Sequence, residues 1–476
     1  GAPGVRLSDG AVRIDNVTDD VPRLQLKARA QGPADQVLGV LKASPLNDMT
    51  GQALAQARMS GPVDIGFGLI LPLGDEDDQP EGQSGAQVRG TVVFPGNEVQ
   101  ITPASPALAG ATGTLRFTQS GFDITDAVAQ LYGGPVRFEG GMRPREGGQP
   151  PVLRFRGQGS ASAEGLQKAD LGFVSRLFGK ASGSADYTAQ LAFKGGAPEI
   201  MVASSLQGLA LDLPAPLGKP ADATLPLRLE TSVPLVEGGV ALNDRVALQL
   251  GPPAAPLVDV LFERDIRGAS PRVLRGTLAL GQGAVRAALP AQGVVAQLQA
   301  ADVDVDAWQR AFASATATTT TTAASGSGAA GAADYLPTQL SLRADRVQSG
   351  GHRFHQVVLG ASRAGNLWRA NVDAEELNGY IEYRPPGDGQ QGNVYARLAR
   401  LTLSPGAPGE VEQLLQQPTS VPALDIAVDD LRWADRSLGR VEVDAVNRGG
   451  AGRVAEWRLN ALRMTVPEAR LSASGN

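Results

Sequence analysis

The only histidines in this 476-residue chain are His352 and His355. Their H-x-x-H spacing is the pattern that most invites a metal, because two imidazoles can share one zinc or copper ion. On a β-strand, however, positions i and i+3 face opposite sides. There is also no cysteine anywhere to complete a ligand set. The pair therefore reads as surface histidines beside a turn, and no metal ligands are assigned.

Other candidate chemistry is equally unsupported. Asp75, Glu76, Asp77 and Asp78 would attract a hard cation, but the run lacks the alternation and the terminal bidentate Glu of a calcium loop, so it reads as a solvated loop. Ser60 and Ser204-Ser205 have no nucleophile-elbow context, and a Ser-His-Asp set would need one of the two histidines by coincidence. Gly195-Gly196 lacks the strand-to-helix setting of a phosphate loop. With 49 acidic residues, paired carboxylates decide nothing. No catalytic residue and no cofactor is assigned, and an envelope hydrolase would need a nucleophile and base that are not offered.

The elements that would position any site are more informative. Leu340–Ala361 recurs in degenerate form as Leu424–Ala445, a shift of 84 positions from 340 to 424. Leu340, Leu342 and Ala344 map onto Leu424, Ile426 and Val428. Phe354, Val357, Leu359 and Ala361 map onto Leu438, Val441, Val443 and Ala445. The histidine positions map onto Arg436 and Gly439, which weakens the metal reading further. Each copy is two short strands around a turn, with apolar residues at every second position on one face. Such a unit cannot bury its apolar face alone, so its repetition implies stacking into something long.

Composition agrees with many short strands between tight turns. Gly and Pro number 59 and 33, aromatics are 5% and charged residues 19%. The net charge of −6 carries no basic stripe of the kind that binds a nucleic-acid backbone. Absence of cysteine removes disulfides and thiol chemistry and is compatible with an oxidising compartment. The chain opens without a secretory segment or an initiator Met, which reads as a fragment or a processed form. The strongest apolar run, Ile65–Leu73, is too short to span a bilayer.

Along the chain, residues 1–312 read as serial strands with helices near 35–59, 166–178 and 304–312. Asp35 is the expected N-cap of the first helix. Residues 313–333, rich in Thr, Ala, Gly and Ser, read as a floppy loop. Residues 334–476 continue the strands with the two repeat copies and a short helix at Glu410–Gln416 between them. Successive hairpins predict antiparallel pairing with no βαβ rhythm. The fold class is mainly β, either several sandwiches or one continuous curved antiparallel sheet.

The remaining candidate is the apolar face itself. Leu209, Leu211 and Leu213 are followed across a turn by Leu225, Leu227 and Leu229. Leu340 and Leu342 are followed by Val357 and Leu359, and Leu424, Ile426 and Val428 by Val441 and Val443. These positions are either the core of a sandwich in a structural or adhesive β-repeat protein, or the lining of a groove open to acyl chains.

Four segments carry a resemblance. Leu206–Pro220 (LQGLALDLPAPLGKP), Gly183–Phe193, Asp304–Trp308 and Val421–Ala445 resemble the YhdP branch of the AsmA-like family of bacterial envelope proteins. The resemblance runs from about Gly61 onward. It implies a periplasmic, bridge-like lipid-transfer protein with a long, taco-shaped β-groove. Such a protein is anchored in the inner membrane by one N-terminal helix and reaches toward the outer membrane, with possible protein partners at each. Phospholipid acyl chains would slide inside the groove with headgroups outside. The chain departs from that pattern in lacking the N-terminal helix and the C-terminal end, and the insert at Ala313–Ala333 lies outside the resemblance. The family offers no catalytic motif to carry over.

Overall fold

The structure is a computed structural model that describes residues 6–15, 22–42, 57–73, 87–101, 105–143, 152–169, 178–194, 197–237, 240–268, 270–281, 285–317, 333–386, 392–403, 422–433, 436–448, 456–466 and 469–475. Among them, 26 strands belong to one open, predominantly antiparallel sheet. The chain divides into two compact units, one of residues 1–212, 219–249 and 263–272, the other of residues 213–218, 250–262 and 273–476.

The first unit holds β1 (Arg6–Asp15), β2 (Arg23–Pro33), β3 (Arg58–Ser60), β4 (Pro62–Pro72), β5 (Gln87–Gln100), β6 (Leu108–Thr118), β7 (Gly121–Leu131), β8 (Gly134–Arg143) and β9 (Val152–Ser162). It continues with β10 (Ala181–Lys194), β11 (Ala197–Ser204), β12 (Leu209–Leu211) and β13 (Leu227–Glu237). Neighbours in sequence are neighbours in the ladder, all antiparallel, apart from short β3 beside β5 and β12 beside β10. This follows from short hairpin connections, which only antiparallel strands can use. The corner between β3 and β4 is clamped by fully buried Asn97, whose amide donates to the carbonyls of Ser60 and Pro62 at 2.9 Å each.

β14 (Val240–Leu250) and β15 (Val258–Asp265) each contribute to both units. The second unit then holds β16 (Arg272–Gly281), β17 (Gly293–Asp304), β18 (Gln339–Ser349), β19 (His352–Ala364), β20 (Leu367–Asp373), β21 (Leu377–Arg384) and β22 (Asn393–Leu403). It ends with β23 (Ala423–Trp433), β24 (Arg436–Arg448), β25 (Glu456–Val466) and β26 (Ala469–Gly475). Here the uniform antiparallel expectation needs correction, because β16–β17, β17–β18 and β22–β23 are parallel. The physical reason is connection length. Each of those pairs is joined by a segment long enough to carry the chain back to the starting end before the next strand begins. Between β17 and β18 that segment contains a helix, so the described residues include a βαβ unit.

Two of the three described α-helices start at a capping side chain. α1 (Ala34–Lys42) begins one residue before Asp35, which sits in the first turn, where it complements the helix dipole, rather than at the cap. The chain is already a strand by Arg58, and residues 43–56 of the expected helix lie outside the described residues. α2 (Ala163–Lys168) is capped by Ser162, whose hydroxyl accepts from the Gly165 N–H at 3.1 Å. It ends ten residues before Phe178, the expected terminus, and residues 170–177 lie outside the described residues. α3 (Val305–Ala317) is capped by the Asp304 carboxylate, which accepts from the Ala307 N–H at 2.7 Å. It runs past Phe312 into the stretch read as loop, because Ala313–Ala317 is alanine-rich and continues a helix readily. Most of that loop, and the helix expected at Glu410–Gln416, lie outside the described residues.

α3 also anchors the first repeat copy. Gly350 and Gly351 form the two-residue β18–β19 turn with φ of +58° and +76°, a conformation that favours glycine. The Asp306 carboxylate accepts from both of their N–H groups, at 2.8 and 3.1 Å.

Candidate functional site

In the second unit the cross-strand registers connect into unbroken apolar rows. One row passes through Leu280, Leu298, Leu342, Leu359, Val372, Gly379, Leu398, Val428, Val441, Met464 and Leu471, one residue from each strand of β16–β26. The row beside it passes through Leu278, Ala296, Leu340, Ala361, Ala370, Ile381, Ala396, Ile426, Val443, Leu462 and Ala473. No charged or hydrogen-bonding side chain enters either row. Because side chains alternate by face, a single one-residue slip anywhere would break both.

The interleaved row on the opposite face is polar for most of its length: Gln297, Ser341, Gly360, Asn371, Tyr380, Arg397, Ala427, Glu442, Arg463 and Ser472. Its charges are compensated across strands. Arg369 pairs with Glu382 at 3.3 Å, Arg397 with Asp425 at 2.8 Å, and Arg440 with Asp429 at 3.0 Å. A face so neutralised and solvated is the ordinary outer surface of a one-sided sheet.

The apolar face is covered only in part. Ala344, Val347, Val357, Val372 and Ala374 pack into one buried cluster, and Ala396, Leu398 and Val428 into another, with Leu377 and Ile381 touching both. Leu340, Leu342, Leu359, Leu424, Ile426 and Val443 remain only partly buried. Neighbouring aliphatics supply that partial cover; a sandwich core facing a second sheet would be closed throughout.

The first unit repeats the arrangement. Ala30, Ile65, Val92, Leu115, Ile124, Gly140, Phe155, Leu191 and Ile200 are successive register partners across nine strands. At Gly90 the absence of a side chain leaves room for the Phe117 ring of the adjacent strand, whose Cζ an added Cβ would strike.

The chain also matches the model of a known family. The description "YhdP protein" matches residues 2–476. The chain belongs to the YhdP family. No curated protein and no solved structure matches it significantly.

Leu206–Pro220, one of the segments that carry the resemblance, differs from an open lining. Leu209 is fully buried, Leu211 and Leu225 are buried, and Lys219 is buried among them. The Lys219 ammonium donates to the carbonyls of Leu209 at 2.5 Å and Pro220 at 3.0 Å. Burial pulls its pKa below the usual lysine range, opposed by nearby Asp222. Gly208, with φ of +92°, lets this knot close against Gly183 and Ser184. Among the neighbouring leucines, Leu213 and Leu227 are half-buried, and Leu227 stands opposite Ser204. Leu229 continues an apolar row through Val202 and Ala189.

The histidines part company. His355 Nδ1 lies 2.5 Å from Glu376 Oε1, and the His355 N–H donates to Glu376 Oε2 at 2.7 Å. Glu375 completes a group of potential ligands with them, whereas His352 takes no part. Sequence reasoning missed both carboxylates because they lie in the β20–β21 turn, twenty residues on. Glu376 already spends both oxygens on His355, so the arrangement ties that turn to β19.

Among the described residues, no helix is long and apolar enough to cross a membrane.

Proposed function

We propose that this chain is part of a bridge-like protein that conducts phospholipids between the inner and outer membranes, with acyl chains on the apolar rows and headgroups toward solvent. The observation that carries the reading is the pair of uninterrupted apolar rows across β16–β26, which remain half-open. An acyl chain lying across the strands would meet aliphatic side chains at every step and no polar group to desolvate. Leu340, Leu342, Leu359, Leu424, Ile426 and Val443 form its contact surface, with Val357, Val428 and Val441 as the floor. In the first unit Leu229 joins the surface. Leu209, Leu211 and Leu225 serve instead as the closed core of the Lys219 knot.

Family membership supports a place in the periplasm, tethered to the inner membrane, with membrane proteins as partners at either end and no nucleic acid. The reading assigns no catalytic step. A structural or adhesive role is the second reading, and the closed packing around Leu209 favours it locally. Native mass spectrometry of protein purified without detergent separates the two. Co-purifying phospholipid in the wild type, lost in Ile426→Asp and Val443→Asp variants that remain folded, is the expected result. A lipid-free wild type, or variants that only unfold, would support the structural reading.

A further inference from the structure

The solvent-side face carries one feature that lipid conduction does not use. Across β20–β23 the charge ladder is interrupted by two tyrosines, Tyr380 and Tyr395, whose rings lie 6.4 Å apart at 72°. They border a recess of about 420 Å³ whose other polar walls are Glu382, Arg384, Asn393 and Asp425.

The walls are held in place. The Tyr380 hydroxyl donates to Glu382 at 2.6 Å, and Arg369 pairs with the same carboxylate. Arg397 lies over the Tyr395 ring at 4.1 Å and is itself fixed by Asp425 at 2.8 Å and by the carbonyls of Ala396 and Asp425. Each acid therefore has its own arginine. Arg384 and Asn393 face each other across the β21–β22 ladder with no side-chain hydrogen bond or ion pair among the described residues, and with the Tyr380 hydroxyl and Arg369 the Arg384 charge helps to hold the Glu382 carboxyl below its usual range. Among the described residues lining the recess, Leu367 is the only aliphatic side chain, and it offers no pocket for an apolar anchor of a peptide.

We infer that this recess binds a saccharide bearing a carboxylate. A pyranose ring has an apolar C–H face suited to a tyrosine ring and an equatorial belt of hydroxyls suited to in-plane acceptors and donors, here Glu382, Asp425 and Asn393. The Arg384 guanidinium, near Glu382 but with no side-chain hydrogen bond among the described residues, supplies a planar fork for the carboxylate. The site lies on the face opposite the apolar rows, so lipid loading and saccharide binding are independent.

The test is calorimetric titration of the full chain with the disaccharide N-acetylglucosaminyl-N-acetylmuramic acid, with neutral chitobiose as the comparison. Saturable binding is expected for the carboxylated sugar. It weakens at least tenfold in Tyr395→Ala and loses its preference over chitobiose in Arg384→Gln, while Tyr395→Phe retains it. Arg384 is a solvent-exposed strand-end residue, so its variant reports even if Tyr395→Ala misfolds. No saturable binding by the wild type, or equal binding by Arg384→Gln with an unchanged preference, overturns the assignment.

Discussion

Val428 lies directly opposite Val441 across the β23–β24 ladder, both buried. The same relationship, shifted by 84 positions, places Ala344 opposite Val357 across β18–β19, again with both buried. In both copies the strand that opens the repeat enters parallel to its predecessor. The sequence echo is thus a repeated geometric unit whose buried pair forms the floor under a half-open apolar surface.

This difference between floor and surface sets the cost of a charge. Val428 is 3% exposed, so Val428→Asp would bury an unpaired carboxylate and cost more than about 3 kcal/mol. Ile426, two residues earlier on the same face, is only partly buried, and Ile426→Asp should cost about 1–2 kcal/mol. Urea titration of the two variants checks the order.

The Asn97 clamp predicts a local effect in the first unit. Asn97→Ala leaves two carbonyls without their donor at a fully buried corner, which should cost about 2 kcal/mol. Hydrogen exchange should rise in β3 and β4 before it rises in β18 and β19.

Tyr187 carries a pH dependence. Burial, with a smaller contribution from Tyr132, pushes its hydroxyl up to about 12, and the buried oxygen finds no hydrogen-bond partner among the described residues. The folded state holds this proton more tightly than the unfolded chain, whose tyrosine titrates near 10. The associated stability is complete below pH 10 and is lost as pH rises from there toward 12. Tyr187→Phe should therefore be neutral or stabilising by up to about 1 kcal/mol at pH 7 and should flatten the alkaline decline. Thermal melts from pH 8 to pH 12 decide it.

Lys219→Met removes both hydrogen bonds to the Leu209 and Pro220 carbonyls and should cost about 1–3 kcal/mol. Limited proteolysis would show it as faster cleavage between Asp212 and Gly218.

Period-two alternation made the strands, the repeat and the apolar face legible, because a one-sided sheet writes its burial directly into every second residue. Strand direction was not legible. It depends on how far the connection travels, and nothing within Leu424–Val428 distinguishes a parallel neighbour from an antiparallel one. The extension of α3 beyond Phe312 was hidden because Ala-rich sequence reads as readily as loop. The closure around Leu209 was missed because its cause is a lysine ten residues away bonding to backbone carbonyls, which no side-chain pattern records. The tyrosine recess requires residues from four strands in register, a relationship that appears only once the ladder is known.

In the proposed function, one face of β16–β26 meets acyl chains and the other does not. Site-specific photo-crosslinking tests it most directly, with benzoylphenylalanine placed at Leu342 on the apolar row and at adjacent Ser341 on the polar row, in cells or with phospholipid vesicles. Lipid adducts are expected from position 342 and none from position 341. Equal labelling at both positions, or none at 342 in a folded protein, would contradict it.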